Sequence, residues 1–408
     1  MFTDLSKLIK KHKIIFEILN KNNEDNARLV GGCVRDFIQT GVISNDIDIS
    51  TIFTPEEVIK KLEEYRQTKE CQNKYILTIL DKDKQYGTII AIFEDKKTKQ
   101  TQRYEITTTR ADIECFGRQA NVVFCKDFKE DSTRRDFTIN ALYVDEQGKI
   151  FDFHNGIEDL KNNKIIFIGD AEKRIKEDYL RIVRFFRFAT KFDNFNFDEQ
   201  TLNIIKANKE GLLQLSRERI KSEIWKLLEY DNWFIGIKSL KDNDLIEEIF
   251  LIENPVIRGN FENFEANNIV KLFYFFNYKR KIMLELKEKL KFTREEKKLC
   301  DFLTDIWYLT NKGSELTIDA KIKIFSEKNK NYITYCFPLF NEEILSQIEN
   351  FISRIKNLPI TSQEIINLGY QGKELGEKIK LATKLWIESN FKAKKKDILK
   401  SLKEEENN

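Results

Sequence analysis

Residues 28–51 place a strand, a glycine turn, a helix and a second strand in immediate succession, and this run limits the fold more than any other. Arg28-Leu29-Val30 reads as a buried strand ending in Gly31-Gly32, and Cys33 to Gln39 as a short helix. Asp46 to Thr51 then alternates with period two. In a strand, residues i and i+2 share a face. Asp46 and Asp48 therefore present two carboxylates side by side, while Ile47 and Ile49 turn to a core and fix the register.

Two adjacent carboxylates repel, and a divalent cation offsets that repulsion. Hard oxygen ligands suit Mg²⁺, and a pair of such ions can activate an attacking hydroxyl while stabilising a leaving phosphate. Gly31-Gly32 lets backbone N–H groups approach a polyphosphate closely, and the helix that follows offers its positive end. Arg35, one turn into that helix, brings a planar, permanently charged fork toward the same triphosphate, which Gly32 helps to seat. Taken singly these features are weak: a lone D-x-D is usually solvated surface and a lone Gly-Gly is usually a turn. Their succession on consecutive elements carries the weight.

At 408 residues the chain has room for two to four domains. The net charge of +3, with 34% of residues charged, excludes a polycation but leaves room for a local basic track. An apolar content of 41% with 32 Phe calls for packed domains. The six Cys are scattered without a C-x-x-C pair and there are only two His, which argues against structural zinc and for free thiols in a reducing compartment. Neither a signal-like N-terminal h-region nor an apolar run of membrane-spanning length is found, so a soluble, cytoplasmic protein without a membrane partner is expected.

Gly87 to Phe93 and Tyr104 to Thr109 also alternate as strands, whereas 112–126, containing Gly117-Arg118-Gln119-Ala120, reads as a mobile loop. Beyond Asp152 the pattern is helical almost throughout, with Ser216 as N-cap of one helix. The run Gln371–Lys403 carries ten Lys against four carboxylates around Trp386 and Phe391, which suits a solvated amphipathic face as well as an RNA-contacting one. The expected fold class is α+β: a small mixed-sheet head followed by an elongated all-α remainder.

The string VGGCVRDFIQTGVISNDIDIST resembles the signature of the class II tRNA nucleotidyltransferase and bacterial poly(A) polymerase family, within the polymerase-beta-like superfamily. Later stretches match the same family in the same order. Asp131-Ser-Thr-Arg-Arg-Asp-Phe-Thr-Ile-Asn-Ala resembles its RRDFTxNA segment, Asp152-Phe-His-Asn-Gly-Ile-Glu-Asp-Leu its head-to-neck connector, and Glu177-Asp-Tyr-Leu-Arg its EDxxR motif. Ser216-Arg-Glu-Arg-Ile-Lys-Ser-Glu resembles its last shared motif, read as a brace. Tyr86-Gly87-Thr88 stands where relatives commonly have His-Gly-Thr.

The resemblance implies a nucleotidyltransferase head at 1–152, a base-recognising neck at 153–214, a helical body at 215–300 and a tRNA-binding tail at 301–408. It implies that Asp46 and Asp48 are the catalytic, Mg²⁺-holding residues, with Glu105 an open question as a third carboxylate. Arg134 and Arg135 would take phosphate and Asp136 the ribose. Asp178 with Arg181 would read the base edge, and Arg184 and Arg187 would lie toward nucleotide or RNA backbone. An Asp acceptor beside an Arg donor accommodates cytosine and adenine, whereas uracil and guanine set a carbonyl against the carboxylate. Gly156 is read as a hinge in the connector. The implied activity is addition of C, C and A to the tRNA 3′ end from CTP and ATP, the acceptor and T-stem being held by shape and charge. Poly(A) synthesis, partial CC or A addition, and a non-catalytic RNA- or nucleotide-binding role on the same scaffold stay open at this point.

Overall fold

In the computed structural model the described residues are 4–404, apart from 22–23, 44–45, 117–118, 193–194, 196, 260–263, 311–315 and 328–329. The chain divides into two compact units: residues 1–227 with 235–245, and residues 228–234 with 246–408.

The first unit is built on a mixed seven-stranded sheet. Its strands are β1 (Ala27–Val30), β2 (Asp46–Thr51), β3 (Tyr75–Leu80), β4 (Thr88–Asp95), β5 (Thr101–Thr108), β8 (Leu142–Val144) and β9 (Ile150–Asp152), in the order β3-β4-β5-β2-β1-β8-β9. β6 (Arg110–Phe116) and β7 (Gln119–Phe124) form a separate pair. β2 runs antiparallel to β1 and parallel to β5, in a register that sets Asp48 beside Glu105.

Period two then sorts the faces of this sheet. Ile47, Ile49, Tyr104 and Ile106 are buried under the N-terminal helices α1 (Ser6–Lys11) and α2 (Lys13–Leu19), with α3 (Gly32–Thr40) and α4 (Pro55–Arg66), in one apolar cluster. Asp46, Asp48 and Glu105 alternate with these residues and so fall on the opposite face, where Val30 and Tyr143 pack against Phe128. Gly31 holds the β1–α3 turn at φ +77°, ψ −131°, a conformation that side chains disfavour, so the first glycine of the pair is required by the backbone itself.

Three expectations change here. The segment expected to be a mobile loop is an antiparallel pair, Arg110↔Phe124 through Phe116↔Gln119, with an irregularity between Asp112 and Glu114; Gly117 and Arg118 lie outside the described residues. The motif Glu177 to Ala189 is not one helix: α8 (Ala171–Glu177) ends, Asp178 is extended at φ −154°, ψ 102°, and α9 (Leu180–Ala189) begins afresh. Gly156, expected as a hinge, opens the short helix Gly156–Lys161 against neighbouring backbone, and a Cβ there would lie 2.3 Å from the Thr138 carbonyl oxygen. Asp152 does cap this helix, accepting from Gly156 N and Ile157 N at 2.9 Å each.

The second unit is helical. Trp233, Phe250, Phe273 and Phe275 are buried in it. The lysine-rich run folds as helices Gly372–Glu388 and Lys395–Glu404. Trp386 and Phe391 are buried and T-stacked on each other, and Trp386 donates to the Lys356 carbonyl at 3.1 Å. These two aromatics are core residues, not an exposed RNA-stacking pair. Among the described residues, no helix is long and apolar enough to cross a membrane.

Candidate active site

Asp46 and Asp48 share one sheet face as their spacing requires, but in different surroundings. Asp46 is open to solvent and accepts from Arg103 Nη1 at 2.5 Å. Asp48 is half-buried beside the Gly31 turn: the direction a Gly31 side chain would take meets Asp48 Oδ2 and Arg135 Nη1 at 3.6 Å each. Burial, and after it the Glu105 carboxylate, push the Asp48 carboxyl up to about 6, with Asp46 adding to the rise and Arg135 opposing it. Glu105 stands in register with Asp48, and Arg103 Nη2 donates to it at 3.0 Å.

Residues 131–136 span the C-terminal end of helix α6 (Phe128–Thr133) and the turn after it, and form a buried charge network. Asp131 is fully buried, and its carboxylate takes Arg134 Nε at 2.8 Å, Arg135 Nη2 at 3.3 Å and the Tyr143 hydroxyl at 2.7 Å. Burial alone would raise this carboxyl, but the two arginines outweigh it and hold Asp131 down at about 2. Asp136 is also buried. Its Oδ2 accepts from Arg184 Nε at 2.7 Å and its Oδ1 from Asn140 Nδ2 at 3.0 Å. Against the effect of burial, Arg184 keeps it far below the usual carboxylate range.

Arg134, Arg135, Asp136, Asp178, Arg181 and Arg184 all line one cavity of about 410 Å³. Arg135 is the link between this cavity and the acid pair, since it also approaches Asp48 at the Gly31 turn. Gly32 and Arg35 lie in the first turn of α3, directly after Gly31. Arg35 is buried, with Nε donating to Asp36 at 2.8 Å, a further bond to Asn140 Oδ1, and its guanidinium 4.8 Å from the Phe188 ring centre. Arg187 does not line the cavity. It is buried beside Glu223 at 3.0 Å and over the Phe188 ring at 4.2 Å.

Asp178 and Arg181, expected from sequence to read the base, are arranged differently from a simple i, i+3 helical contact. Arg181 donates to Glu177 at 2.8 Å and to the Arg174 carbonyl at 2.6 Å. Asp178 accepts from Arg219 Nη2 at 2.7 Å. Arg219 belongs to α11 (Arg217–Leu228), the helix read from sequence as a structural brace. That helix also brings Ser222, Glu223 and Lys226 to the cavity, with Glu223 near both Arg184 and Arg187. The spacing of Arg219, Ser222, Glu223 and Lys226, at i, i+3, i+4 and i+7, is the one available sign that they share a helix face. Which cavity that face meets is set by tertiary packing, not by any local pattern. Among the described residues no three His, Cys, Asp or Glu side chains converge as a ready-made metal cluster, and the Asp46 carboxylate is paired with Arg103.

This geometry has counterparts. Residues 27–166 match the poly A polymerase head domain, and 194–257 match a region described as the probable RNA and SrmB-binding site of polymerase A. The chain is 31% identical to the mouse and human proteins named CCA tRNA nucleotidyltransferase 1, mitochondrial, over 96% of its own length and 89% of theirs. It is 40% identical to the CCA-adding enzyme of Lactobacillus helveticus over 49% of this chain and 45% of that one. Its fold is that of the Bacillus stearothermophilus CCA-adding enzyme solved with CTP, with a TM-score of 0.74 at 21% identity over 97% of each chain. On identity and coverage together, this chain belongs to the family of CCA tRNA nucleotidyltransferases.

Proposed function

We propose that this protein adds C, C and A to the 3′ end of tRNA, taking CTP and ATP and releasing pyrophosphate. The observation that carries the reading is the arrangement around Arg135. One guanidinium faces both the Asp48 carboxylate and a cavity rich in arginine, so a nucleotide held in that cavity has its phosphates beside the acid pair. The names of the mammalian relatives and the CTP-bound structure of similar fold support the substrate class.

Asp46 and Asp48 are assigned the metal. The donor set fits Mg²⁺: oxygen ligands only, with the Glu105 carboxylate in register beside Asp48. When bound, the ion supplies Lewis-acid activation of the attacking hydroxyl and of the leaving pyrophosphate. The protein's own groups do the rest. Gly32 and the start of α3 offer N–H groups to the triphosphate. Arg134 and Arg135, anchored on Asp131, face its phosphates. Asp136, tied to Arg184, sets the floor beneath the ribose, and Arg35 stiffens the glycine turn through Asp36 and Asn140.

Asp178 and Arg181 read the amine and ring nitrogen of cytosine or adenine. Arg219 and Glu177 hold them so that a carbonyl in the amine's place meets a fixed carboxylate. The division into head 1–152, neck 153–214, body 215–300 and tail 301–408 belongs to this proposal, with the helical body and tail gripping the tRNA acceptor and T-stem. A cytoplasmic location also belongs to it. The five described cysteines are free thiols, which suits a reducing compartment.

The deciding assay offers tRNA lacking its 3′ triplet with labelled CTP alone, ATP alone, or both. Extension that needs both nucleotides for completion and stops after three additions is expected. Long adenylate tails from ATP alone would identify a poly(A) polymerase, and no incorporation at all would leave only a binding protein.

A further inference from the structure

We propose that Arg103 is an internal counter-cation of the acid pair, which the divalent ion must displace from Asp46 before the site is loaded. The inference rests on the assignment of Asp46 and Asp48 to the metal. Its basis is strand register. β2 and β5 are parallel, and Asp46 pairs with Arg103 as Asp48 pairs with Glu105. Period two turns Asp46, Asp48, Arg103 and Glu105 to one face, while Ile47, Tyr104 and Ile49 enter the core on the other. The guanidinium therefore emerges directly beside the carboxylates. It spans two of them, with Nη1 at 2.5 Å from Asp46 Oδ1 and Nη2 at 3.0 Å from Glu105 Oε2.

A fold-stabilising role does not account for this placement. Arg103 is 38% exposed and Asp46 71% exposed, and ion pairs in such surroundings contribute little to stability. What the contact does is occupy an oxygen that a metal ligand needs. An arginine does not lose its proton in the pH range of proteins, so the competition persists wherever the enzyme works. An incoming divalent ion exchanges for Arg103 rather than binding to bare carboxylates. The exchange weakens apparent metal affinity and keeps the like charges of Asp46, Asp48 and Glu105 apart from one another's full repulsion before loading. Arg103 is thus a positioning residue that sets the threshold ion concentration.

The test measures binding of Mn²⁺ alone, by counting the free ion spectroscopically during titration of wild-type protein, Arg103→Gln and Asp48→Asn. Arg103→Gln is expected to bind Mn²⁺ about two- to fivefold more tightly than wild type, the range set by an exposed ion pair. Asp48→Asn is expected to lose that binding. Unchanged or weaker binding by Arg103→Gln, with binding still lost in Asp48→Asn, overturns the exchange and leaves the metal assignment standing. Undiminished binding by Asp48→Asn overturns the metal assignment and the exchange with it.

Discussion

Arg219 donates to the Asp178 carboxylate at 2.7 Å, joining residues 41 apart in the chain. The contact fixes an acid that lies in an extended step between two helices and has no helical framework of its own. Arg219→Ala removes a charge-assisted bond of the kind that contributes about 1.5–3 kcal/mol. Selectivity for CTP and ATP over UTP and GTP should fall by about tenfold or more. Single-turnover incorporation of each of the four nucleotides measures it, and unchanged selectivity would contradict the proposed base-reading role of Asp178 held by Arg219.

Tyr179, the neighbour of Asp178, lies flat against Gly211. A Cβ at Gly211 would stand 2.1 Å from the Tyr179 ring. Gly211→Ala must therefore move Tyr179 or the backbone, at roughly 1–3 kcal/mol of stability. Gly156→Ala meets the Thr138 carbonyl instead, and backbone yields less readily than a ring. Thermal unfolding should place both variants below wild type, with Gly156→Ala the lower of the two.

Asp131 anchors Arg134, Arg135 and Tyr143 from a fully buried position. Its folded carboxyl is held at about 2, below its ordinary 3.8. The unfolded chain thus binds a proton that the folded chain refuses. The stabilisation is present above pH 3.8 and is lost as pH falls from there toward 2. The shift corresponds to roughly 2 kcal/mol. Asp131→Asn should unfold more easily at neutral pH and lose less than wild type on acidification through that window, as read by denaturant melts at each pH.

The sign is opposite for Asp48, whose folded carboxyl is raised to about 6. Between its ordinary 3.8 and 6 the folded protein holds a proton that the unfolded chain releases, so this group makes the metal-free fold less stable as pH rises through that window. Metal requires the ionised form. Divalent affinity should therefore climb from pH 5 to 7 and then level off. A flat profile from pH 5 to 7 in a Mn²⁺ titration would contradict the assignment.

Local order was legible wherever a few consecutive residues determine it. The alternation of Asp46 to Thr51 and the Gly31 turn specify a strand face and a backbone conformation without help from elsewhere. In the paired segment Arg110–Phe124, Ala111, Ile113 and Cys115 alternate with Asp112 and Glu114, but Gly117-Arg118 interrupts the pattern with the composition of a loop. The spacing of Asp178 and Arg181 suggested a helical partnership, yet each finds its partner elsewhere, at Arg219 and Glu177. The Arg219–Asp178 pairing spans 41 residues and depends on where α11 is brought, which no local pattern encodes; Glu177 and Arg181 are only four apart. The same gap hid Arg103, whose neighbourhood with Asp46 depends on the order of strands in the sheet.

The most direct measurement is extension of a tRNA lacking its 3′ triplet by Asp46→Asn and Asp48→Asn proteins, with tRNA binding followed in parallel. If the acid pair drives transfer, incorporation disappears in both while tRNA affinity is largely kept. Extension by either variant at the wild-type rate would contradict the account.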